Sequence, residues 1–222
     1  MNPSLKLLLV LLISLETTFT SNLAANLIVI VATFLLLWHY HFTGRQFLRL
    51  LLIPLLPAGA LVITIGFFSP GHNWPYGWML VSRLYLYVSC GAIFIHTTSP
   101  LSLARSLEQN CHLPSKYAYG VLAALNLVPR IKQSITTIYQ AGLMRGVSLH
   151  WWSPSLYFKA ILAAIQWSEQ LAVAMESHGF VEGQARTYAQ QITMTKCDWW
   201  LFIGAIVAFQ VILIALPPLF MR

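Results

Sequence analysis

Apolar residues arrive in long unbroken blocks, and this constrains the chain more than any single motif. Residues 47–68, 78–96 and 198–220 each approach the roughly 20 residues that a helix needs to cross a ~30 Å hydrocarbon core. The ten-residue alternation of a transmembrane barrel is not the pattern here. Of 222 residues, 58% are hydrophobic and only 9% charged, where a soluble domain carries about a quarter charged residues. That is too little polar material to cover a water-facing globule. It is also the opposite of the low hydrophobicity that keeps a chain disordered. The expected fold class is all-α: a polytopic membrane protein, since a helix satisfies its own backbone in lipid.

Two shorter blocks precede these spans. Residues 3–20 hold Lys6, an apolar run and then Glu16, which taken alone resembles a signal peptide. The next apolar block, 23–38, follows so closely, with no small-residue cleavage site between, that a retained short first helix is the better reading. The connector 39–49 carries Arg45 and Arg49, whereas the turn 69–77 has no Lys or Arg. Loops rich in Lys and Arg stay inside, so crossings are expected to alternate from an inside N-terminus through five spans. Pro54 and Pro57 should kink the third, which neighbouring helices can accommodate.

The charges concentrate. Thirteen Lys and Arg stand against six Asp and Glu, for a net +7. Eight of the thirteen (Arg105, Lys116, Arg130, Lys132, Arg145, Lys159, Arg186 and Lys196) lie between residues 97 and 197. The chain therefore divides into N-terminal transmembrane helices at 1–96, a cytoplasmic module at 97–197 and a last transmembrane helix at 198–222. In a membrane chain this basic stretch marks the inner face rather than a nucleic-acid surface. The three cysteines, Cys90, Cys111 and Cys197, have no CxxC spacing and imply no disulfide framework.

Within the module, Tyr117, Val121, Leu122, Leu125 and Val128 recur at helical spacing, and Ile131, Ile135, Ile138 and Leu143 resume it beyond Pro129. Pro129 is expected to bend that helix. Pro154 opens a second helix in the position proline favours. Both are too polar to span and too apolar to stand alone, so their apolar faces need a membrane surface or a partner. The first ends Met144-Arg145-Gly146 and the second Ser177-His178-Gly179. Glycine past a helix end and a basic residue in its last turn also describe two ordinary C-caps.

At this point the sequence resembles the transmembrane T component of energy-coupling factor transporters, a branch of the ABC importers. The resemblance runs along nearly the whole chain. Pro3-Ser4-Leu5-Lys6-Leu7-Leu8 is similar to that family's opening. Arg83, Thr97-Thr98-Ser99-Pro100, Leu113-Pro114 and Leu127-Val128-Pro129 resemble its middle series. Ala141-Gly142-Leu143-Met144-Arg145-Gly146 resembles the first of its two signatures. Ala174-Met175-Glu176-Ser177-His178-Gly179-Phe180, followed by Arg186-Thr187 and Asp198, resembles the second. Each motif alone is weak; their order and spacing are specific.

The resemblance implies a non-catalytic scaffold in a bacterial-type plasma membrane, its coupling module cytoplasmic. Two ABC ATPase subunits would dock on Met144, Arg145, Gly146, Ser177, His178 and Gly179. A substrate-binding membrane subunit, the S component, would pack on the amphipathic helices. Pro100, Pro114, Pro129, Arg83 and Asp198 would serve as hinge or structural positions. An arginine suits docking because its permanent charge and planar fork grip carboxylates bidentately. His178 stands where the family has arginine, so that fork is missing at the second end and the charge there depends on pH. The chain itself would hold no cofactor and no metal, ATP being bound by the partners. The cargo would be a vitamin or a metal ion such as cobalt or nickel.

Other residues have plainer readings. Arg83 inside a span must face protein or water. His39-x-His41 lacks further ligands for a metal and reads as interfacial, as do the Trp pairs 151–152 and 199–200. Asp198 is expected to cap the last helix. No GxxxxGK[ST] occurs, so ATP hydrolysis would belong to the partners. An embedded enzyme would need paired carboxylates or histidines within the spans, and Glu16 is the acid found there. A permease subunit of another ABC class is the remaining alternative.

Overall fold

The computed structural model describes residues 1–40, 43–68, 74–147, 150, 152–184, 187–188 and 190–215. Every regular element among them is helical: α1 (Pro3–Phe19), α2 (Leu23–His39), α3 (Gly44–Leu52), α4 (Leu55–Ile63), α5 (Trp74–Thr97), α6 (Pro100–Asn110), α7 (Ser115–Met144), α8 (Pro154–Ser177) and α9 (Lys196–Ala215). A π-helical segment, Thr64–Phe68, extends α4. The chain is an all-α, polytopic membrane protein.

Side-chain oxygens at the helix starts explain most of these boundaries. Asn2 accepts from the Ser4 N–H with Pro3 in the first turn, and Asn22 accepts from the Ala25 N–H. Thr43 and Gln46 form a reciprocal capping box at α3. Ser99 Oγ accepts from the Ser102 N–H ahead of Pro100 and α6. The connector expected at 39–49 is thereby shortened: α2 runs to His39 and α3 begins at Gly44, so Arg45 and Arg49 sit on a helix. Pro54 follows Ile53 at the break between α3 and α4, where its ring and missing N–H interrupt the helix, whereas Pro57 is tolerated inside the first turn of α4.

Two compact units result, one made of Met1–Leu103 with Thr193–Arg222 and the other of Ala104–Ile192. In the first, Gly44–Phe68, Trp74–Thr97 and Lys196–Ala215 have the length and apolar character to cross a membrane. The helices α1 and α2, at 17 residues each, reach only about 26 Å at 1.5 Å per residue.

Helix directions in this unit follow from which ends touch. The Thr18 and Tyr87 hydroxyls lie 2.7 Å apart and Lys6 Nζ donates to the Thr97 carbonyl at 3.2 Å, so α1 and α5 are antiparallel. Gln210 Nε2 donates to Glu16 Oε1 at 2.9 Å and the Met1 amino nitrogen lies 3.3 Å from Asp198 Oδ1, so α1 and α9 are parallel. Asn26 Nδ2 donates to Ser82 Oγ and Thr33 Oγ1 to Ser89 Oγ, both at 3.1 Å, so α2 and α5 are parallel. These are the directions that five alternating crossings require.

The α2–α5 seam is the centre of the unit. Its two hydroxyl and amide contacts are buried and sit seven residues apart on both helices, the spacing at which a helix face repeats. Val29, Ile30, Leu86 and Cys90 pack around them with Phe209 of α9. Small polar side chains suit such a seam because they let backbones approach and bond across it. Large apolar side chains point outward instead: Leu56 is 80% and Ile214 81% exposed. Lipid or a partner subunit must cover such a surface.

Candidate functional site

The second unit is built on an antiparallel hairpin of α7 and α8. Leu127, Ile131 and Ile135 of α7 line one cavity with Tyr157, Ile161 and Ile165 of α8. Toward the start of α7, the Tyr119 ring meets Phe180, just beyond α8, edge to face at 5.7 Å. Lys116 Nζ also pairs there with Glu182 Oε1 at 2.8 Å. The hydrogen bond to Glu182 and its charge hold the Lys116 ammonium above its ordinary range. Leu156 and Ala160 are buried, small and large alternating as close packing demands. Toward Tyr119 and Phe180 runs an apolar groove of about 560 Å³, lined by Ala123, Leu127, Leu171 and Met175 together with Lys116 and Arg130.

Both helices end in the same backbone device. After Met144, Arg145 takes φ −91° and ψ 8°, and Gly146 turns left-handed at φ +70°. The Val147 N–H then donates to the Gly142 carbonyl at 3.0 Å and Gly146 to Leu143 at 3.1 Å. After Ser177, His178 takes φ −86° and ψ 12°, and Gly179 turns at φ +81°. Phe180 donates to Met175 and Gly179 to Glu176, each at 2.9 Å. This paired six-to-one and five-to-two closure is the Schellman motif. Its consequence is exposure: Met144, Arg145, Gly146, Ser177, His178 and Gly179 all face solvent.

The antiparallel pairing separates the two ends. α8 has 24 residues, about 36 Å at 1.5 Å per residue, so the Arg145 and His178 turns stand at opposite ends of the hairpin. The six site residues form two triplets, each presenting a backbone turn with one basic or ionisable side chain at its apex.

The remaining predicted positions are scattered. Pro100 occupies the first turn of α6, Pro114 precedes α7 as its N-cap, and Pro129 lies inside α7. The helix continues through Pro129, leaving the Leu125 carbonyl without its usual donor. In the membrane unit Arg83 Nη2 donates to the Thr20 carbonyl at 2.9 Å, in the break between α1 and α2, while its Nε has no hydrogen-bond partner. Asp198 is not itself the N-cap of α9. Thr195 is: its Oγ1 accepts from the Asp198 N–H while Asp198 Oδ2 accepts from the Thr195 N–H, both at 3.3 Å. The two make a capping box three residues apart. Arg186, His41, Trp151, the turn residues 69–73 and the tail 216–222 lie outside the described residues.

Several polar ties have no counterpart in the sequence reading. Lys6 to Thr97 and Glu16 to Gln210 join residues 91 and 194 positions apart, and no local periodicity announces such pairs. Glu108, 7% exposed, keeps one carboxylate oxygen without a partner beside Arg105 and Gln109. Among the described residues no group of three or more His, Cys, Asp or Glu could hold a metal ion.

The CbiQ family profile, described as cobalt transport protein, matches residues 1–189. Among curated relatives, the energy-coupling factor transporter transmembrane protein EcfT of Limosilactobacillus fermentum is 30% identical over 177 residues, covering 65% of this chain and 66% of that protein. The proteins of the same name from Streptococcus thermophilus and Bacillus subtilis are 28% and 25% identical, covering 70% and 72% of this chain and 64% and 67% of theirs. The chain thus spans about two thirds of the length of the curated relatives it matches.

Proposed function

The chain belongs to the CbiQ (cobalt transport protein) family, and on that footing we propose that it is the coupling subunit, the T component, of an energy-coupling factor importer. In this reading two ABC ATPase subunits dock at the Arg145 and His178 turns. A substrate-binding membrane subunit packs on the apolar side of the α7–α8 hairpin, and the complex imports a vitamin or a metal ion such as cobalt or nickel. ATP is bound and hydrolysed by the partners, and this chain carries neither cofactor nor catalytic residue. The hairpin faces the cytoplasm of a bacterial-type cell, and α1, α2, α3–α4, α5 and α9 make five crossings.

The observation that carries the reading is the pair of identical Schellman closures, each lifting one basic or ionisable side chain into solvent at an end of one hairpin. A helix pair with two like ends about 36 Å apart suits two like partners side by side. Nucleotide-driven movement of the ATPases displaces the two turns. The displacement bends the hairpin, and the subunit on its apolar face responds. No contact with the cargo is required of this chain.

Affinity capture of the full chain from its native membranes, with the co-purifying subunits identified by mass spectrometry, tests the assignment. Two ATPase subunits per chain are expected, lost when Arg145 and His178 are both replaced by alanine. A chain that captures no ATPase, or a double variant that captures them as well as the wild type, would sink the proposal.

A further inference from the structure

The chain leaves the membrane unit after Leu103 and returns to it at Thr193, and both passages are tied to the beginning of α1. Lys6 Nζ donates to the carbonyl of Thr97, the last residue of α5, at 3.2 Å. Carbonyls in a final helical turn have no donor from within the helix, and the negative helix end favours a cation. On the return side, the Met1 amino nitrogen lies 3.3 Å from Asp198, whose carboxylate also closes the α9 capping box with Thr195. The first turn that carries these ties is itself fixed: Asn2 Oδ1 accepts from both the N–H and the hydroxyl of Ser4, and Asn2, Ser4 and Leu5 are buried. Next to Thr97, Thr98 is buried and its hydroxyl has no hydrogen-bond partner.

We propose that Lys6 is a positioning residue for energy coupling: it fastens the end of α5 to α1, so that movement delivered through the α5–α6 connection shifts the spans as a body instead of fraying the last turn of α5. The proposal rests on the T-component reading above. A lysine fits this task because its long apolar stem can span the gap between helices and bring the ammonium to a carbonyl on a neighbour. Methionine would keep the stem's bulk and remove only the donor.

The test uses the full complex in proteoliposomes, with Lys6→Met and Lys6→Arg. Lys6→Met is expected to co-purify with wild-type stoichiometry and to hydrolyse ATP within about twofold of the wild type. Its substrate uptake per ATP should fall about tenfold or more, and Lys6→Arg, which restores a donor, should recover most of it. A merely structural lysine would lower uptake and hydrolysis together, so an unchanged ratio overturns the proposal. If Lys6→Met does not assemble, Lys6→Leu removes the donor with less bulk, and the same ratio in that variant decides. Should the wild-type chain bind no ATPase, the T-component reading falls first, an outcome distinct from an assembled complex whose ratio does not change.

Discussion

Arg145 and His178 hold the same position in two helix ends, each the residue before a left-handed glycine, with backbone angles that agree within about 5°. The backbone treats the two ends alike, and the side chains do not. A guanidinium can make two parallel bonds to a carboxylate; an imidazole cannot.

The two docking points are therefore expected to be unequal. Removing one member of a desolvated charge pair costs about 2–5 kcal/mol, so Arg145→Ala should weaken capture of the ATPases by tenfold or more. His178→Ala should cost distinctly less, and His178→Arg should strengthen capture. Quantitative pull-down of the three variants checks this, and equal losses for Arg145→Ala and His178→Ala would count against unequal grips.

Gly146 and Gly179 provide a second test, because their surroundings are empty. A Cβ at either would meet nothing within 4 Å, yet both lie at positive φ. An L-residue there costs about 1–2 kcal/mol from backbone sterics alone. Gly146→Ala and Gly179→Ala should each lower thermal stability by that order and misdirect the adjacent Arg145 or His178, reducing ATPase capture with both of those side chains still present. Asparagine at the same sites should be milder, as it tolerates the left-handed region. Equal behaviour of alanine and asparagine would show that the left-handed turn is not what matters.

Much of this architecture was legible because its signals are local. Apolar blocks gave helices whose ends fall within a few residues of expectation where they are described, the end expected at Phe220 lying outside the described residues, and Met144-Arg145-Gly146 with Ser177-His178-Gly179 marked the two turns. Capping was read less well: Asp198 is the cap expected from the sequence, whereas the N-cap is Thr195 and the two act as a box. The short helix α6 went unread, its 11 residues offering too few apolar repeats. What holds the membrane unit together was not visible at all. Lys6 with Thr97, Glu16 with Gln210 and Asn26 with Ser82 are pairs brought together by folding.

The α2–α5 seam gives a third prediction. Asn26 with Ser82 and Thr33 with Ser89 are interhelical bonds in a lipid-facing protein, where such pairs average about 0.6 kcal/mol. Double-mutant cycles with Asn26→Ala and Ser82→Ala, and with Thr33→Val and Ser89→Ala, should return coupling of that order in detergent unfolding experiments. The two pairs lie two helical turns apart on the same helix faces, so their cycles should be nearly additive. Coupling indistinguishable from zero at both would mean that apolar packing alone joins α2 to α5.

Pro129 supplies the last prediction. It lies inside α7, a helix of 30 residues, and takes one donor from the ladder beside Leu125. An interior proline costs a helix about 3 kcal/mol relative to alanine, so Pro129 marks the place where α7 resists bending least. Pro129→Ala restores the Leu125 bond and should raise the thermal stability of the module. If α7 flexes at this point when the ATPases move, the same variant should keep ATPase capture and hydrolysis while substrate uptake falls several-fold. Full uptake in a stabilised Pro129→Ala complex would remove the hinge and leave Pro129 as a local weakness of the helix.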